Sequence, residues 1–371
     1  MKINSKTKTV YVAMSGGVDS SVAAALLQQR GFNVVGVFFK PWSPATDFSY
    51  CNWQQDRLDA MRVATTLNIR FKTWDFSKEY GAKVTSYMIN GYKNGITPNP
   101  DVMCNKEIKF GLFLKKALTE GADYIATGHY VRKREIERKS RSLSDSHDRG
   151  KIIVSKLIKA RDANKDQSYF LWTLTQNQLK YCLFPIGDYT KPAIRKIAKQ
   201  FGLPNHGKKD SQGVCFVGQL DMKKFLTEYI QPKRGDIRLI SSGKIIGTHD
   251  GIYYYTIGQR HGLNITNGQG PFFVASKDTR KNVIYVTTDK SALLKDSIPV
   301  GNANWISSAK FPVRANVKIR YRNQSLPATI IKKSSDNSVL INFLKPARAI
   351  APGQSAVFYR GAEVLGGGII K

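Results

Sequence analysis

Six consecutive residues near the start of the chain, Ser15–Ser20, have the composition of a phosphate-binding loop. Their sequence is Ser-Gly-Gly-Val-Asp-Ser, and adjacent glycines let backbone N–H groups approach an anion without hindrance from a Cβ atom. The apolar run Thr9–Met14 predicts a buried strand before the loop, and Ser21–Arg30 predicts a helix after it. The N-terminus of that helix adds the positive end of its dipole. The segment is therefore predicted to bind phosphate.

Two commoner nucleotide loops are excluded by the residues present. A Walker A loop requires Gly-Lys-Ser/Thr, and no lysine lies between Ser15 and Ser21. A dinucleotide fingerprint requires G-x-G-x-x-G, and these glycines are adjacent with no third one following. A glycine-rich strand-to-helix turn without a ligand remains the alternative. The segment resembles the SGGxDS loop of the ATP pyrophosphatases, which implies a grip on the β,γ-pyrophosphate and adenylation of a substrate oxygen.

Cys104 has a setting that suits a reactive thiol. The preceding loop contains Pro98 and Pro100, and the cysteine comes just before a predicted helix, Asn105–Glu120, whose dipole would lower a thiol pKa. Asp101 nearby suits general acid–base work, with capping of the helix at Asn105 as the alternative.

Cys215 has a second such setting. Lys208 and Lys209 precede it and favour a thiolate, and Gly213 permits a tight, exposed turn. From spacing alone a structural cysteine is equally acceptable at both positions. Cys182 lies among apolar residues and is predicted to be a buried filler, whereas Cys51 is ambiguous. No C-x-x-C pair occurs, so no metal site is expected.

Charge indicates a polyanionic partner. The chain has 58 basic and 27 acidic residues, a formal net charge of +31 at pH 7. Nucleic acid is favoured over a membrane surface, because no basic amphipathic helix stands out. A general lysine bias of the proteome remains the alternative.

Length and apolar content fit a folded protein of two or three domains, with 371 residues of which 42% are hydrophobic. No run of 18 apolar residues occurs, so no membrane span is expected. The first eight residues are too short and too polar for a signal peptide, and a cytoplasmic location is expected.

The elements that must position these residues change character along the chain. The first part alternates strands with helices, which predicts a parallel, doubly wound α/β sheet with its ligand at the carboxyl ends of the strands. Within it, Arg132–Lys151 is predicted to be an exposed loop, and Thr190 to cap a helix. After about residue 220, short β-rich runs such as Ile252–Thr256 predict an all-β half. The predicted strands of the first part are Asn33–Lys40, Ile69–Phe76 and Asp123–Val131, and its helices are Gln54–Asn68, Glu79–Asn94 and Asn105–Glu120.

Eight sequence blocks, in order, resemble the bacterial tRNA-specific 2-thiouridylase family. They are SGGVDSS, NPDVMCNKEIKFG, ATGHYVR, KDQSYFL, KKDSQGVCFVG, YTIGQRHGL, RYR and PGQSAVFY, and the match runs from Val10 to Lys371. Other ATP pyrophosphatases share only the first block. The resemblance implies an adenine nucleotide alpha-hydrolase-like domain over residues 1–220, a small central β-rich domain over 221–288, and a C-terminal β-barrel that binds tRNA over 289–371.

The resemblance also implies the reaction, an ATP-dependent 2-thiolation of the wobble uridine of certain tRNAs. ATP, with Mg²⁺, would adenylate O2 of the base, and Cys215 would carry a persulfide loaded by a sulfur-relay protein. Cys104 would attack or release that sulfur, leaving a Cys104–Cys215 disulfide to be reduced. The C2 carbonyl of uracil is a poor electrophile until its oxygen is activated. Once that oxygen is activated, a soft thiolate is the right nucleophile for C2.

Other residues take roles by their place in the same blocks. Position 39 is usually methionine in the family, and Phe39 keeps an apolar wall for adenine. The implied ATP-binding residues are Ala13, Met14, Ser15, Gly16, Gly17, Val18, Asp19, Ser20, Phe39 and Gly128. The implied contacts to the target base are Asn99, Pro100 and Asp101, and those to tRNA are His129, Lys165, Asp166, Gln167, Tyr321, Arg322 and Gln354.

Basic sequence accompanies the implied tRNA contacts. Residues 311–371 carry 10 basic and 2 acidic residues, and residues 131–165 carry 12 and 5. Strand-forming basic sequence beside Tyr321 suits phosphate contact and base stacking. Two other functions are carried as alternatives: an ATP-dependent amidotransferase or ligase that needs no cysteine, and a non-catalytic RNA-binding protein with a relic loop.

Overall fold

A computed structural model describes residues 7–42, 53–139, 151–210, 222–265, 270–333 and 337–371. Cys51 and Cys215 lie outside these residues, so the predictions made for them have no structural counterpart here.

The N-terminal part is built on a parallel sheet with strand order β3-β2-β1-β4-β7. Side chains alternate between its two faces, so that Tyr11 and Val35 face one apolar core while Val10 and Val34 face the other. Helices cover both faces, which confirms the predicted doubly wound fold. The strands are β1 (Thr9–Ala13), β2 (Asn33–Lys40), β3 (Arg70–Asp75), β4 (Tyr124–Thr127) and β7 (Cys182–Leu183).

The helices of this part follow the predicted order, but several begin earlier than predicted, as α1 does at Val18 in place of Ser21. The predicted helix Asn105–Glu120 starts earlier, at Pro100, and continues through a π-helical segment, Asn105–Phe113. Pro100 has no N–H to lose at a first helical position, which explains the earlier start. The helices are α1 (Val18–Gln29), α2 (Trp53–Thr66), α3 (Ser77–Tyr80), α4 (Ser86–Lys93), α5 (Pro100–Cys104), α6 (Leu114–Thr119), α7 (Gln176–Leu179) and α8 (Lys191–Gln200).

The predicted loop Arg132–Lys151 is wrong over its first eight residues. Two strands, β5 (Val131–Lys139) and β6 (Lys151–Lys159), form an antiparallel hairpin there. The high charge hid β5, because Val131 and Ile136 are the apolar positions among its nine residues. Its second strand pairs with β17 (Glu363–Ile370), which joins the hairpin to the C-terminal sheet.

The central part contains a small sheet with order β10-β11-β8-β9. The expectation of an all-β half is wrong at its start, where a helix, α9 (Met222–Tyr229), buries Phe225 and Leu226. The predicted run Ile252–Thr256 is also wrong, because Ile252–Tyr254 forms a 3₁₀ turn. The strands are β8 (Gly235–Leu239), β9 (Ile245–His249), β10 (Phe273–Asp278) and β11 (Val283–Thr287).

The C-terminal part is a closed six-stranded antiparallel barrel, as predicted. Its order is β12-β15-β14-β13-β16-β17, and β17 closes the ring by pairing with β12 between Ile370 and Val300. An aliphatic core fills the interior, with Ile330, Ile341 and Phe358 almost fully buried. The remaining strands are β12 (Leu294–Trp305), β13 (Val313–Lys318), β14 (Leu326–Lys332), β15 (Val339–Arg348) and β16 (Ser355–Arg360).

Candidate functional site

The phosphate loop lies between β1 and α1, at the carboxyl edge of the sheet. Gly16 has a left-handed backbone, φ +75°, and a Cβ atom there would lie 2.2 Å from the carbonyl oxygen of Asp56. Gly17 caps α1 with an extended backbone. Only glycine can therefore occupy position 16, and the cradle has the geometry that an anion needs.

Serine side chains fix the shape of the loop from within. The Oγ atoms of Ser20 and Ser21 donate to the carbonyl oxygen of Gly17 at 3.1 and 2.9 Å. The backbone N–H of Ser15 donates to Ser20 Oγ at 3.2 Å. From outside the loop, the amide of Asn205 donates to the carbonyl of Gly16 at 2.9 Å. These bonds hold the loop in the shape of a cradle.

Gly128 follows β4 and lies against the start of α1. A Cβ atom at this position would be 2.7 Å from the backbone nitrogen of Ser20. With no side chain at Gly128, the end of β4 approaches the backbone of Ser20 at the start of α1. The ATP-site roles of Gly128 and Ser20 stay predictions.

An ion network surrounds the acidic residue of the loop. Lys191 Nζ lies 2.7 Å from Asp19 Oδ1 and 2.8 Å from Asp210 Oδ1, so one cation bridges two carboxylates. The hydroxyl of Tyr130 donates to Asp19 at 2.7 Å. Burial, and then the charge of Asp19, raise the pKa of Tyr130, so its hydroxyl stays a donor. These contacts hold Asp19 in place beside the cradle.

Sequence reasoning missed this network. Lys191 is 9% exposed at the start of α8, and nothing in its neighbourhood distinguishes it from other lysines of a basic chain. The one available signal is its position at a helix start two residues after an aromatic residue, Tyr189, which is too weak to identify it. Asp210 lies in the block KKDSQGVCFVG, which contains Cys215, and nothing in that block marks it as a partner of Lys191.

The remaining predicted ATP-site residues lie next to the loop or in the apolar core. Ala13 is the last residue of β1, and the N–H of Met14, which follows it, donates to the Val37 carbonyl at 2.8 Å. Val18 is buried at the start of α1. Phe39 is 5% exposed on β2, with its ring 4.8 Å from that of Phe113.

The segment proposed to contact the target base forms the start of a helix. Asn99 caps α5, and its Oδ1 accepts a hydrogen bond from the Val102 N–H at 3.2 Å. The alternative in which Asp101 caps a helix at Asn105 is therefore wrong. Asp101 instead lies in the first turn, partly exposed, where a carboxylate is stabilised by the helix dipole.

Cys104 lies in the second turn of the same helix, not just before it. Its side chain is 0% exposed, in the core cluster that also contains Phe39. The contrast with Cys182 is instructive, because that residue is buried on β7 and its Sγ donates to the Gln178 carbonyl at 3.1 Å. Burial raises the pKa of Cys182 to about 12, as expected for a filler.

Four residues with predicted tRNA contacts lie on one side of the phosphate loop and have partners inside the protein. His129 is buried, and its Nδ1 lies 2.8 Å from Thr127 Oγ1. Burial, and then the charge of Lys109, hold the pKa of His129 well below its ordinary value, so the ring is neutral. The Nζ atom of Lys165 lies 2.6 Å from Asp210. The carboxylate of Asp166 accepts a hydrogen bond from the Ser168 hydroxyl at 2.9 Å, and the side chain of Gln167 accepts one from the Tyr130 N–H at 2.9 Å.

The last three predicted tRNA residues lie on the C-terminal barrel. The ring of Tyr321 packs 4.4 Å from that of Phe170, and the guanidinium of Arg322 lies 5.4 Å from the Tyr321 ring. Arg322 is exposed. Gln354 points the other way, and its Nε2 donates to the carbonyl of Thr97 at 3.0 Å.

The described ranges contain no group of three or more His, Cys, Asp or Glu that could hold a metal ion. An Mg²⁺ ion that arrives with a nucleotide takes most of its ligands from phosphate and water, so one protein carboxylate is enough. Asp19 is the carboxylate of the loop, and it would have to exchange contacts with Lys191 and Tyr130 for such an ion. Among the described helices, none combines the length and apolarity needed to cross a bilayer.

Comparisons with known proteins cover almost the whole chain. A family model described as the tRNA methyl transferase HUP domain matches residues 8–219, one described as the tRNA methyl transferase PRC-barrel domain matches 223–288, and one described as the aminomethyltransferase beta-barrel domain matches 295–370. The tRNA-specific 2-thiouridylase MnmA 2 of Geobacillus kaustophilus is 45% identical over 365 residues, which are 97% of this chain and 94% of that protein. The chain belongs to the bacterial tRNA-specific 2-thiouridylase family.

A second relative supports the same membership. The tRNA-specific 2-thiouridylase MnmA of Histophilus somni is 44% identical over 379 residues, covering 99% of this chain and 94% of that one. The prediction of an ATP-dependent tRNA-uridine 2-sulfurtransferase is confirmed at the level of the family. The predicted domain boundaries and the roles of single residues stay predictions.

Proposed function

We propose that this protein replaces O2 of the wobble uridine of tRNA with sulfur, using ATP to activate the oxygen and a cysteine persulfide as sulfur source. The observation that carries the proposal is a phosphate cradle at the edge of a sheet in a chain matched from end to end by 2-thiouridylases. The same sheet packs against the helix that contains Cys104.

In the first step, uridine O2 attacks the α-phosphorus of ATP and pyrophosphate leaves. The cradle of Gly16 and Gly17, with the N-terminus of α1, holds the pyrophosphate so that the α-phosphorus faces the base. Asp19 would hold Mg²⁺, and this ion would offset the charge of the phosphates. The adenylated oxygen then leaves as AMP in place of a poor leaving group.

In the second step, the terminal sulfur of a Cys215 persulfide attacks C2 of the uridine, and AMP departs. Cys104 attacks the inner sulfur of Cys215, which breaks the S–S bond, releases 2-thiouridine and forms a Cys104–Cys215 disulfide. An external thiol reduces this disulfide, and a sulfur-relay protein reloads Cys215. Cys104 is fully buried, so its access to the base would require a rearrangement when RNA docks.

Asp101 is proposed to move the proton that the uridine N3 loses and regains during this exchange. It lies three residues before Cys104, one helical turn away and partly exposed. Asn99 and Pro100 would bind the base beside it. The tRNA backbone would lie on the basic barrel, where Tyr321 and Arg322 are exposed to it in part or in full.

Replacement of each cysteine tests the proposal. Cys104→Ser and Cys215→Ser are each expected to abolish 2-thiouridine formation in tRNA incubated with ATP and a persulfide donor, while tRNA-dependent ATP–pyrophosphate exchange persists. Cys182→Ser is the matched control and should retain activity, since Cys182 is buried like Cys104 but lies on β7, outside the helix that contains Cys104. Nucleoside mass spectrometry of the tRNA gives the readout.

Two outcomes would contradict the proposal. Full thiolation by either Cys104→Ser or Cys215→Ser would exclude the sulfur route through these thiols. Activity on a small-molecule acceptor that survives thiol alkylation would favour an amidotransferase or ligase of the same superfamily instead.

A further inference from the structure

The segment that leads into α5 is held by the C-terminal barrel. Gln354 Nε2 donates to the carbonyl oxygens of Thr97 at 3.0 Å and Pro98 at 3.3 Å. The backbone N–H of Thr97 donates to the carbonyl of Pro352 at 2.8 Å. Three hydrogen bonds therefore join two adjacent peptides of the N-terminal part to one turn of the barrel.

Gly353 brings this turn into direct contact with the segment. Its φ is +90°, and a Cβ atom there would lie 2.8 Å from the carbonyl oxygen and 3.0 Å from the carbonyl carbon of Thr97. No side chain other than hydrogen fits without displacing the Thr97 peptide. The contact is backbone against backbone, so it is not relieved by a rotamer change.

The barrel side of this contact is itself fixed. Ile370 N–H donates to the Gln354 carbonyl at 2.9 Å, and Gly353 N–H donates to the Ile370 carbonyl at the same distance. The next residue, Ser355, accepts from the Tyr169 hydroxyl at 2.9 Å and from Trp172 Nε1 at 3.0 Å, all three residues being buried. The turn is therefore a rigid stop for the segment it touches.

What this stop positions is the helix of the proposed site. Asn99 follows Pro98 directly and caps α5, on which Asp101 and Cys104 lie one turn apart. A shift at Thr97–Pro98 would rotate or translate the helix start, and displacement by about 1 Å is enough to cost on the order of 10²-fold in rate.

We propose that Gly353 and Gln354 are positioning residues, through which the barrel sets the geometry of Asn99–Cys104 for sulfur transfer. The inference rests on the proposed function and gives Gln354 a role inside the protein, whereas the sequence resemblance implies a contact to tRNA. The turn belongs to the same barrel as Tyr321 and Arg322. RNA bound at those two residues would therefore contact the domain that positions the reaction site.

The experiment compares two glycine-to-alanine variants. Gly353→Ala is expected to lower the kcat of tRNA thiolation roughly 10- to 100-fold, with the Kd for tRNA changed less than about twofold. Gly361→Ala is the control, since Gly361 also has a left-handed backbone in the barrel, φ +60°, with nothing within 4 Å of its added Cβ. Equal kcat values for the two variants would overturn the proposal.

Gln354→Glu tests the side chain separately. It keeps the size of glutamine but places a carboxylate against two carbonyl oxygens, so we expect a lower kcat and an unchanged tRNA Kd. A raised Kd with unchanged kcat at saturating tRNA would assign Gln354 to RNA binding alone and overturn its positioning role.

A readout independent of activity guards against misfolding and against failure of the proposed function. Alkylation of Cys104, followed by peptide mass spectrometry, should be on the order of 10-fold faster in Gly353→Ala than in wild type, because displacement of the start of α5 loosens the packing around this buried thiol. Alkylation of Cys182 should be unchanged. Faster labelling of both cysteines would indicate general unfolding and overturn the proposal, whereas an inactive wild type with selective Cys104 labelling would reject only the function.

Discussion

The phosphate loop and the segment Thr97–Cys104 are stabilised in different ways. In the loop, Ser15, Ser20 and Ser21 make hydrogen bonds to atoms no more than five residues away, and Asn205 adds long-range bonds to the same loop. Thr97 instead bonds to Gln354, 257 positions further along the chain. The backbone of the phosphate loop is therefore shaped largely by local bonds, whereas the chain that enters α5 is held by the barrel.

The two regions also differ in charge. Next to the loop, Lys191 bridges the carboxylates of Asp19 and Asp210, and Lys165 reaches Asp210 as well. The bonds that hold Thr97 are between neutral amides and carbonyls. Acid and ionic strength are therefore expected to act on the region of the phosphate loop first.

The largest expected effect comes from breaking the local region. Gly16→Ala places a methyl group 2.2 Å from the Asp56 carbonyl oxygen in a left-handed backbone, so ATP-dependent thiolation should fall on the order of 10²-fold or more. Binding of tRNA should be retained. The control is Gly31→Ala, with φ +85° and open space around its Cβ. Thiolation by Gly16→Ala within threefold of wild type would refute the cradle.

A smaller effect is expected from the bridge beside the loop. Lys191→Met removes the cation that Asp19 and Asp210 share. Asp210 keeps its ion pairs with Lys165 and Arg195, whereas Asp19 beside the phosphate loop loses the charge of Lys191. The Kd for ATP, measured by calorimetry, should rise about 10-fold. Lys199→Met on the exposed side of the same helix changes the net charge equally and should leave ATP binding unchanged. Equal effects of the two variants would exclude a specific bridge.

A pH-dependent stability difference should separate the two regions further. Burial opposes ionisation of Asp210, but hydrogen bonds from Lys165 and Lys191 lower its pKa from 3.8 to about 2. A lowered native pKa stabilises the fold above the unfolded value near 4, and this contribution is lost as the pH falls from about 4 to about 2.

Asp210→Asn measures that contribution. Its free energy of unfolding should lie about 1 kcal/mol below that of wild type at pH 6, and the gap should close below pH 4. Denaturant titrations at several pH values give this difference. A gap for Asp210→Asn that widens in acid would contradict the assignment.

The smallest effect is expected at Cys182. Cys182→Ala should leave thiolation unchanged and cost roughly 1 kcal/mol of stability, because one buried sulfur is lost from the core. With a pKa raised to about 12, the wild-type thiol should also react slowly with iodoacetamide at pH 8. Rapid labelling of Cys182 in the folded protein would contradict its role as a filler.

Strand and helix order in the N-terminal part could be predicted because apolar periodicity there is strong. The strand Asn33–Lys40 was predicted with its observed bounds, since it is buried on both faces. The charged strand β5 was missed, because its sequence has few apolar residues and it is stabilised by pairing with β6. The helix start at Pro100 was missed although its signal is local, since Asn99 caps the helix through the Val102 N–H and Pro100 takes the first helical position.

The sequence by itself determined the phosphate loop, because glycines, serines and a following helix act over a few residues and leave their pattern in the chain. It also indicated the cysteines, through the blocks in which they lie. Only the tertiary structure decided that Cys104 is buried, that Lys191 joins two carboxylates, and that Gly353 meets Thr97. These are contacts between residues far apart in the chain, and their geometry depends on packing that no local pattern encodes.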